Sequence, residues 1–453
     1  MNRLWSVSLA SLLAACAGPW PERPQNAQVA PPAAWRTVLP GTGAVTARWW
    51  QGFGDPALAS LIERALADNT DLASAAARIE EARAVERTVR SQRSPTLDAA
   101  VDAQQSRSLG SLGTAVTGLA AQPTIQIAYE LDLSGRIAAL VSGARADTAA
   151  AQDARDAVAL TIAADVARSY VDLLALDARL KVTRETLAAR AEALRVARRR
   201  ATTGYTSFLE LRQAEAEYRA AAQLVPQLEL QATQAENALS VLAGAPPGPV
   251  PRGASLDRIV RPPIPGELPS ELLRRRPDIA AAERRIESAD ASLAAARADF
   301  LPRINLGASA GVALSSLLPD PVTLWSVGGS VLAPIFDAGR IRAQADAATA
   351  RRDQAAYAYR GTALTAFREV EDSLAAVRRT GEQAAELRLQ REALAGSLRL
   401  ASNRYRAGYA SYIEQLDAQR QLLSAELSLI DVEEDSLSAL ITLYQALGGG
   451  WQA

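Results

Sequence analysis

Cys16 is the one cysteine in the chain and the residue with the clearest chemistry to perform. Leu13-Ala14-Ala15 precede it, and small residues before a thiol are what a lipoprotein signal peptidase needs to reach the backbone and leave an acylated cysteine at the N-terminus. Asn2 and Arg3 form a polar start, and Leu4 to Leu13 an apolar stretch too short to cross a bilayer as a helix. These features predict a signal peptide over 1–15, lipidation of Cys16 with palmitate, and, because Ala17 rather than aspartate follows, an outer-membrane address. Other chemistry is scarce. The chain has no histidine and one methionine, which removes imidazole acid–base triads, zinc sites and thioether copper sites. No metal, no cofactor and no enzymatic activity are expected. Lys plus Arg total 49 and Asp plus Glu 50, a net charge of -1, so no basic face for nucleic acid is expected either.

The carboxylates that remain of interest lie beside two matching turns. Ser207-Phe208-Leu209-Glu210 and Ser411-Tyr412-Ile413-Glu414 both fit the Ser-x-x-Glu capping box, and Gly204 and Gly408 just before them supply left-handed helix ends. Glu210 and Glu414 therefore read first as capping residues. Asp417 falls one turn later, beyond the orphan N–H groups, on the same helical face as Ile413. Two long hairpins must carry these turns. From Gly135 to Thr203, and again from Gly339 to Ala407, there is no proline; each run would make a helix about 100 Å long. Val158, Ile162, Val166 and Tyr170 recur at helical spacing on the first. Partner helices are expected near 207–243, where Pro226 should kink the helix, and near 411–447, with shorter ones near 72–93 and 279–299.

The two hairpins belong to one unit written twice. Asp71, Arg78, Ile79, Glu80 and Pro95 recur 207 residues later as Asp278, Arg285, Ile286, Glu287 and Pro302; Gly135-Arg136-Ile137 and Gly204-Tyr205 recur 204 residues later. This gives a tether over 16–50, a first repeat over 51–244 with its hairpin at 135–243, a proline-rich linker over 245–276, and a second repeat over 277–453 with its hairpin at 339–447 and a C-terminal equatorial segment. Between helix and hairpin the period changes to two. Strands are expected at about 96–105 and 123–133, then 303–313 and 324–335, apolar on one face and polar on the other. Such strands suit either surface hairpins or the staves of an outer-membrane barrel; the lipidation signal and the long rods favour the barrel. Four strands cannot close one, so several chains must share it.

With these residues in view, the chain resembles the outer membrane factors of the TolC and OprM type, within the acylated OprM/NodT-like branch. Phe53-Gly54-Asp55-Pro56-Ala57-Leu58, Leu272-Leu273-Arg274-Arg275-Arg276-Pro277-Asp278-Ile279, Ala333-Pro334-Ile335-Phe336-Asp337-Ala338-Gly339-Arg340 and Tyr444-Gln445-Ala446-Leu447-Gly448-Gly449-Gly450-Trp451 carry the resemblance. It implies a mainly α fold with a small membrane β-barrel: a trimeric α/β barrel of long α-helical coiled-coil rods with four transmembrane strands per chain. It also implies a passive channel for efflux, carrying small molecules such as drugs from a proton-driven inner-membrane pump and a periplasmic adaptor to the exterior. Within the resemblance, Tyr405, Ile413 and Asp417 match a periplasmic gate. Gly204, Tyr205, Thr206, Gly408, Tyr409 and Ala410 match the turns that meet the adaptor. Ala410 stands where the TolC-like pattern has an arginine link, so closure there is expected to rely on packing. A duct for type I protein secretion is the alternative within the same architecture. A structural coiled-coil envelope lipoprotein is the alternative outside it, and leaves the paired amphipathic strands without a purpose.

Overall fold

The alternating stretches pair into one four-stranded antiparallel sheet, its strands side by side in chain order, in the computed structural model of the chain. It describes residues 21–37, 41, 46–109, 113–266 and 269–449; Cys16 and the signal peptide lie outside the described residues. Two compact units are present. One comprises 1–29, 77–152 and 281–361, the other 30–76, 153–280 and 362–453.

The first unit holds the sheet. Its strands are β1 (Thr96–Leu109), β2 (Ala115–Leu131), β3 (Arg303–Ser315) and β4 (Val322–Leu332). Directly opposed residues share a face, so register decides what each face carries. Leu97 opposes Ile127, Tyr129 opposes Leu306, Ala310 opposes Trp325, and Ile304 opposes Val331. On the other face Asp98 opposes Gln126, Glu130 opposes Asn305, and Ser309 opposes Ser326 with their hydroxyls 2.9 Å apart. Leu97, Val101, Ile125, Ile127, Trp325, Val327 and Val331 are all exposed.

The strand limits differ from those read in the sequence, for physical reasons. β2 begins at Ala115 rather than near 123, because Pro123 keeps its place opposite Val101 and only the β2–β3 ladder skips Gln122 and Pro123. β1 continues to Leu109 through Gln105-Ser106-Arg107-Ser108, which carry no apolar alternation to detect. β3 reaches Ser315. β4 starts at Val322 and stops at Leu332, just ahead of Pro334.

Helices enter and leave this unit through acidic caps. Asp132 accepts the N–H groups of Ile137 (3.1 Å) and Ala138 (2.7 Å) at the start of α3 (Arg136–Thr202), and Asp337 accepts those of Gly339 (3.0 Å) and Ile341 (2.8 Å) at the start of α7 (Arg340–Arg406). The N-terminal segment is docked here rather than loose. Ala27 is buried with Ile286 of α6 (Pro277–Ala298) and Ala356 of α7.

The second unit is helical. It contains α1 (Pro56–Asp68), the start of α2 (Thr70–Ser91), α4 (Phe208–Leu242), α5 (Pro269–Arg275), α8 (Tyr412–Ala446) and the distal parts of α3 and α7. α3 and α7 have 67 residues each, α4 and α8 35 each, and α4 stays helical through Pro226. Two of the sequence motifs become structural nodes. Asp55 caps α1 by accepting from Ala57 N–H (2.8 Å) and Leu58 N–H (3.2 Å), while its other oxygen accepts from the Tyr170 hydroxyl (2.9 Å) and Ala254 N–H (3.0 Å). Arg276 donates to Asp278, to Glu369 at 2.6 Å and to the Ala446 carbonyl at 3.2 Å, tying the start of α6 and the end of α8 to the middle of α7. Trp49 stacks on Tyr444 with ring centres 5.6 Å apart. Among the described residues no helix is long and apolar enough to cross a membrane.

Candidate functional site

The two hairpin turns are built alike. Gly204 and Gly408 have φ of 76° and 80°, and a Cβ on either would meet nothing within 4 Å; the glycines are required by backbone conformation, not by space. Tyr205 N–H then reaches back to the Arg200 carbonyl (2.8 Å), and Tyr409 N–H to the Arg404 carbonyl (2.9 Å), closing the ends of α3 and α7. The boxes that follow diverge. Ser411 N–H donates to Glu414 at 3.4 Å, whereas at the first turn only the hydroxyl of Ser207 caps, accepting from Glu210 N–H at 3.5 Å. The Glu210 carboxylate instead accepts from the Tyr405 hydroxyl, which corrects its reading as a simple capping residue. A tyrosine from the other hairpin competes for it and wins.

Behind the turns the four helix ends pack into one small core. Ala197 of α3, Ala214 of α4, and Tyr412 and Leu416 of α8 are buried together, with Leu194 and Tyr405 against them. The Arg200 guanidinium lies 4.8 Å from the centre of the Tyr405 ring. Burial, reinforced by the Glu210 acceptor, pushes the Tyr405 phenol up to about 12, so it remains a donor across the physiological range. One turn deeper, Glu217 is buried between two arginines. Arg190 donates to its carbonyl at 2.9 Å and pairs with its carboxylate at 3.0 Å, and Arg420 of α8 reaches the other oxygen through Nε at 3.0 Å. The expected absence of an ionic link at Ala410 therefore does not leave packing alone: charged ties between the hairpins occur at Glu210 and Glu217.

Ile413 and Asp417 point the other way. Their neighbours Tyr412 and Leu416 are buried, while Ile413 is 57% exposed and the Asp417 carboxylate is exposed, accepting from its own helix through Gln421 Nε2 at 2.7 Å. Tyr205, Phe208, Leu209 and Tyr409 are also exposed, an apolar cap on the turns. Beside it runs a groove of about 950 Å³ lined by Arg195, Arg198, Arg199, Arg212 and Arg219, with Glu215. Thr206 lies in the first turn with a buried hydroxyl that has no partner among the described residues, and Ala410 in the second.

Farther along α8, Glu434 and Asp431 accept from Arg179 at 2.5 and 2.9 Å. Burial pushes Glu434 up to about 7, Arg179 holding it down and Asp172 and Asp435 adding to the rise. Its folded value lies above the unfolded one, so the folded state binds the extra proton, and stability is expected to fall as pH rises from about 4.5 to about 7. Glu434→Gln should flatten that part of the curve, measured as the difference in thermal midpoint between pH 5 and pH 8.

Sequence reasoning did not find Glu217, Arg420 or Arg190, and little could have announced them. Each is a charged residue on a helix rich in charge, and only burial singles them out. Asp55 and Arg276 carried a signal, since both sit inside motifs that carried the resemblance, each directly before a proline that starts a helix.

The outer membrane efflux protein family matches the chain over residues 61–245 and 268–449. The solvent efflux pump outer membrane protein SrpC of Pseudomonas putida is 36% identical over 406 residues, 88% of this chain and 86% of that protein. The toluene efflux pump outer membrane protein TtgC, also of Pseudomonas putida, is 36% identical over 450 residues, 96% of this chain and 90% of that protein. Among solved structures, the outer-membrane channel OprN superposes with a TM-score of 0.86 at 30% identity, covering 96% of this chain and 99% of that one. With an amphipathic sheet, paired helical hairpins and two matches that together span most of its length, the chain belongs to the outer membrane efflux protein family.

Proposed function

We propose that the chain is the outer membrane channel of a tripartite efflux system, assembled as a trimeric duct that passes small molecules from an inner-membrane pump and its periplasmic adaptor to the exterior. One observation carries the reading. The four-stranded sheet has one mainly apolar face, most of whose large side chains are exposed, and among the described residues its two outer strands, β1 and β4, each have an unpaired edge. Bare edges and an apolar face of this size require covering, and strands of 11 to 17 residues meet or exceed the roughly 9–11 needed to cross a bilayer. Pairing β4 of one copy with β1 of the next in three copies closes twelve strands, with lipid outside and the Asp98, Asp102, Glu130 face toward the lumen. The equal lengths of α3 and α7, and of α4 and α8, support the two-fold repeat.

In this duct Cys16 carries the acyl anchor. Gly204, Tyr205, Thr206, Gly408, Tyr409 and Ala410 form the turns that meet the adaptor, their exposed tyrosines supplying apolar contact. Ile413 and Asp417 form the constriction, with Tyr405 holding the two hairpins together through Glu210. The duct does no chemistry; the pump, of the proton-driven type, supplies the energy. The named cargo of the relatives, solvents and toluene, fits a duct for small apolar molecules better than one for secreted proteins. Mass measurement of the purified chain in detergent, with single-channel recording on the same sample, tests the assembly. A conducting trimer is expected. A conducting monomer, or a monodisperse particle that conducts nothing, overturns it.

A further inference from the structure

The polar face of the sheet does not stay polar along its length. At the end where the helices join, it carries Asp98, Gln126, Glu130 and Asn305. At the other end, where the two hairpin loops lie, the same face carries Val116 of β2 and Val322 and Leu324 of β4. Register fixes this assignment. Val116 and Gln126 are ten residues apart in one unbroken ladder with β1, and Leu324 lies two residues from Ser326, which opposes Ser309, so an even count puts each on its polar neighbour's face. Asp102, opposite Gln122, is the last ionisable strand residue on this face toward the loops among the described residues.

The loop between β3 and β4 brings a further apolar group to the same place. Ser316 N–H donates to the Leu119 carbonyl at 2.9 Å and Leu119 N–H to the Ser316 hydroxyl at 3.0 Å, so the chain leaves β3 still paired with β2. Leu317 then falls beside Gly118, where a Cβ would stand 2.8 Å from its Cδ1 and 3.2 Å from its Cγ. Gly118 shares the face of Val116 and Gln126 by the same even count. Leu317 thus lies over the polar face in room that a glycine leaves, and it is still 60% exposed. Leu318 turns the other way, bordering a cavity of about 330 Å³ with Leu119, Ala121 and Leu314, residues of the apolar face.

We propose that Leu317, Val322 and Leu324 form an apolar collar inside the outer mouth of the duct, the last surface that departing molecules touch. The collar rests on the reading of the chain as a trimeric duct, and it names the class of cargo favoured at the exit: compact molecules with apolar surface rather than hydrated ions. Water and its ions gain no hydrogen bonds from a ring of leucine and valine, so the ring opposes them, while an apolar solute crosses it at no such loss.

Paired cysteines in the purified full-length protein test the placement. Directly opposed strand residues are close enough for a disulfide, so Gly118→Cys with Leu317→Cys should cross-link within the chain under mild oxidation, read by mass as one linked peptide pair, and Gly118→Cys with Leu318→Cys should link about fivefold less. Equal yields, or no link in the first pair, overturn the placement whether or not the protein conducts. Planar-bilayer recording tests the role. Leu317→Ser should raise potassium conductance about twofold by wetting the collar. A bulky, charged thiol reagent added from the loop side should lower the conductance of Leu317→Cys channels by at least half, and leave Leu318→Cys unchanged, with wild type as the control for Cys16. Leu317→Ser at wild-type conductance, or Leu317→Cys that carries the label by mass and conducts as before, overturns the collar and leaves the duct standing. A wild type that conducts nothing overturns duct and collar together, and the cross-link yields still judge where Leu317 lies.

Discussion

Ile413→Ala combined with Asp417→Ala is expected to raise the resting conductance of the inserted channel several-fold and to make cells leak-sensitive to large antibiotics. Neither side chain supports its own chain. Tyr412 and Leu416 take the buried face of α8, leaving Ile413 and Asp417 outward, with Gln421 of the same helix donating to the carboxylate. Truncating them removes little buried area and leaves no unpaired buried charge, so folding should be nearly unchanged. In the proposed trimer they would face their own symmetry mates. Three isoleucines brought to one axis make an apolar constriction, and three aspartates one turn away repel unless cations, water or protons intervene. The proposed ring would thus be narrow but electrostatically strained, which suits a gate that must open. Glu414→Ala provides the contrast, since its carboxylate is used on Ser411 N–H; it should lower the stability of the helix start by about 1 kcal/mol and leave leak near wild type. Planar-bilayer recording on correctly inserted protein decides the matter, and unchanged resting conductance in the double variant places the constriction elsewhere.

How much of this was legible in the sequence depends on the kind of interaction. Hairpin turns were, because Gly204 and Gly408 and the serines Ser207 and Ser411 that cap the following helices are local signals whose meaning does not depend on distant residues. Strand faces were legible for a similar reason: a period of two survives in the sequence whatever the strands pair with. The strand ends were not, since Gln105 to Ser108 are held in β1 by pairing with β2 rather than by any apolar alternation of their own. Long-range polar partners were least visible. Glu210 looks like a capping residue until Tyr405, from a helix 195 residues away in sequence, takes its carboxylate. The Pro-rich segment after Cys16 looks like free tether until a buried arginine in α7 takes two of its carbonyls.

Glu217 is where the helix-end bundle is expected to be most vulnerable. Its carboxylate neutralises Arg190, whose side chain is as buried as its own, and Arg420, which is exposed. Glu217→Ala strands the Arg190 charge in the core, and breaking a buried pair from one side costs about 3–5 kcal/mol. Arg190 Nη1 would keep the backbone carbonyl of residue 217, at 2.9 Å, but that neutral acceptor does not balance the charge, and Nε already lacks a partner among the described residues. The helix ends should therefore loosen as well as unlink, with a lower thermal midpoint and a higher resting conductance together. Arg420→Ala separates these effects. It removes the tie from α8 to α4 but leaves Arg190 and Glu217 paired, so the stability change should stay within about 1 kcal/mol, as for other exposed ion pairs. If the tie itself resists opening, Arg420→Ala should still leak, and adding Tyr405→Phe, which removes the hydroxyl that Glu210 accepts from, should increase the leak further. Thermal denaturation and bilayer recording on the three variants give the answer. A leak that follows the melting temperature alone, absent in Arg420→Ala and in the double variant, would mean that the buried pair holds the fold and that the gate rests on Ile413 and Asp417 without help from the links behind it.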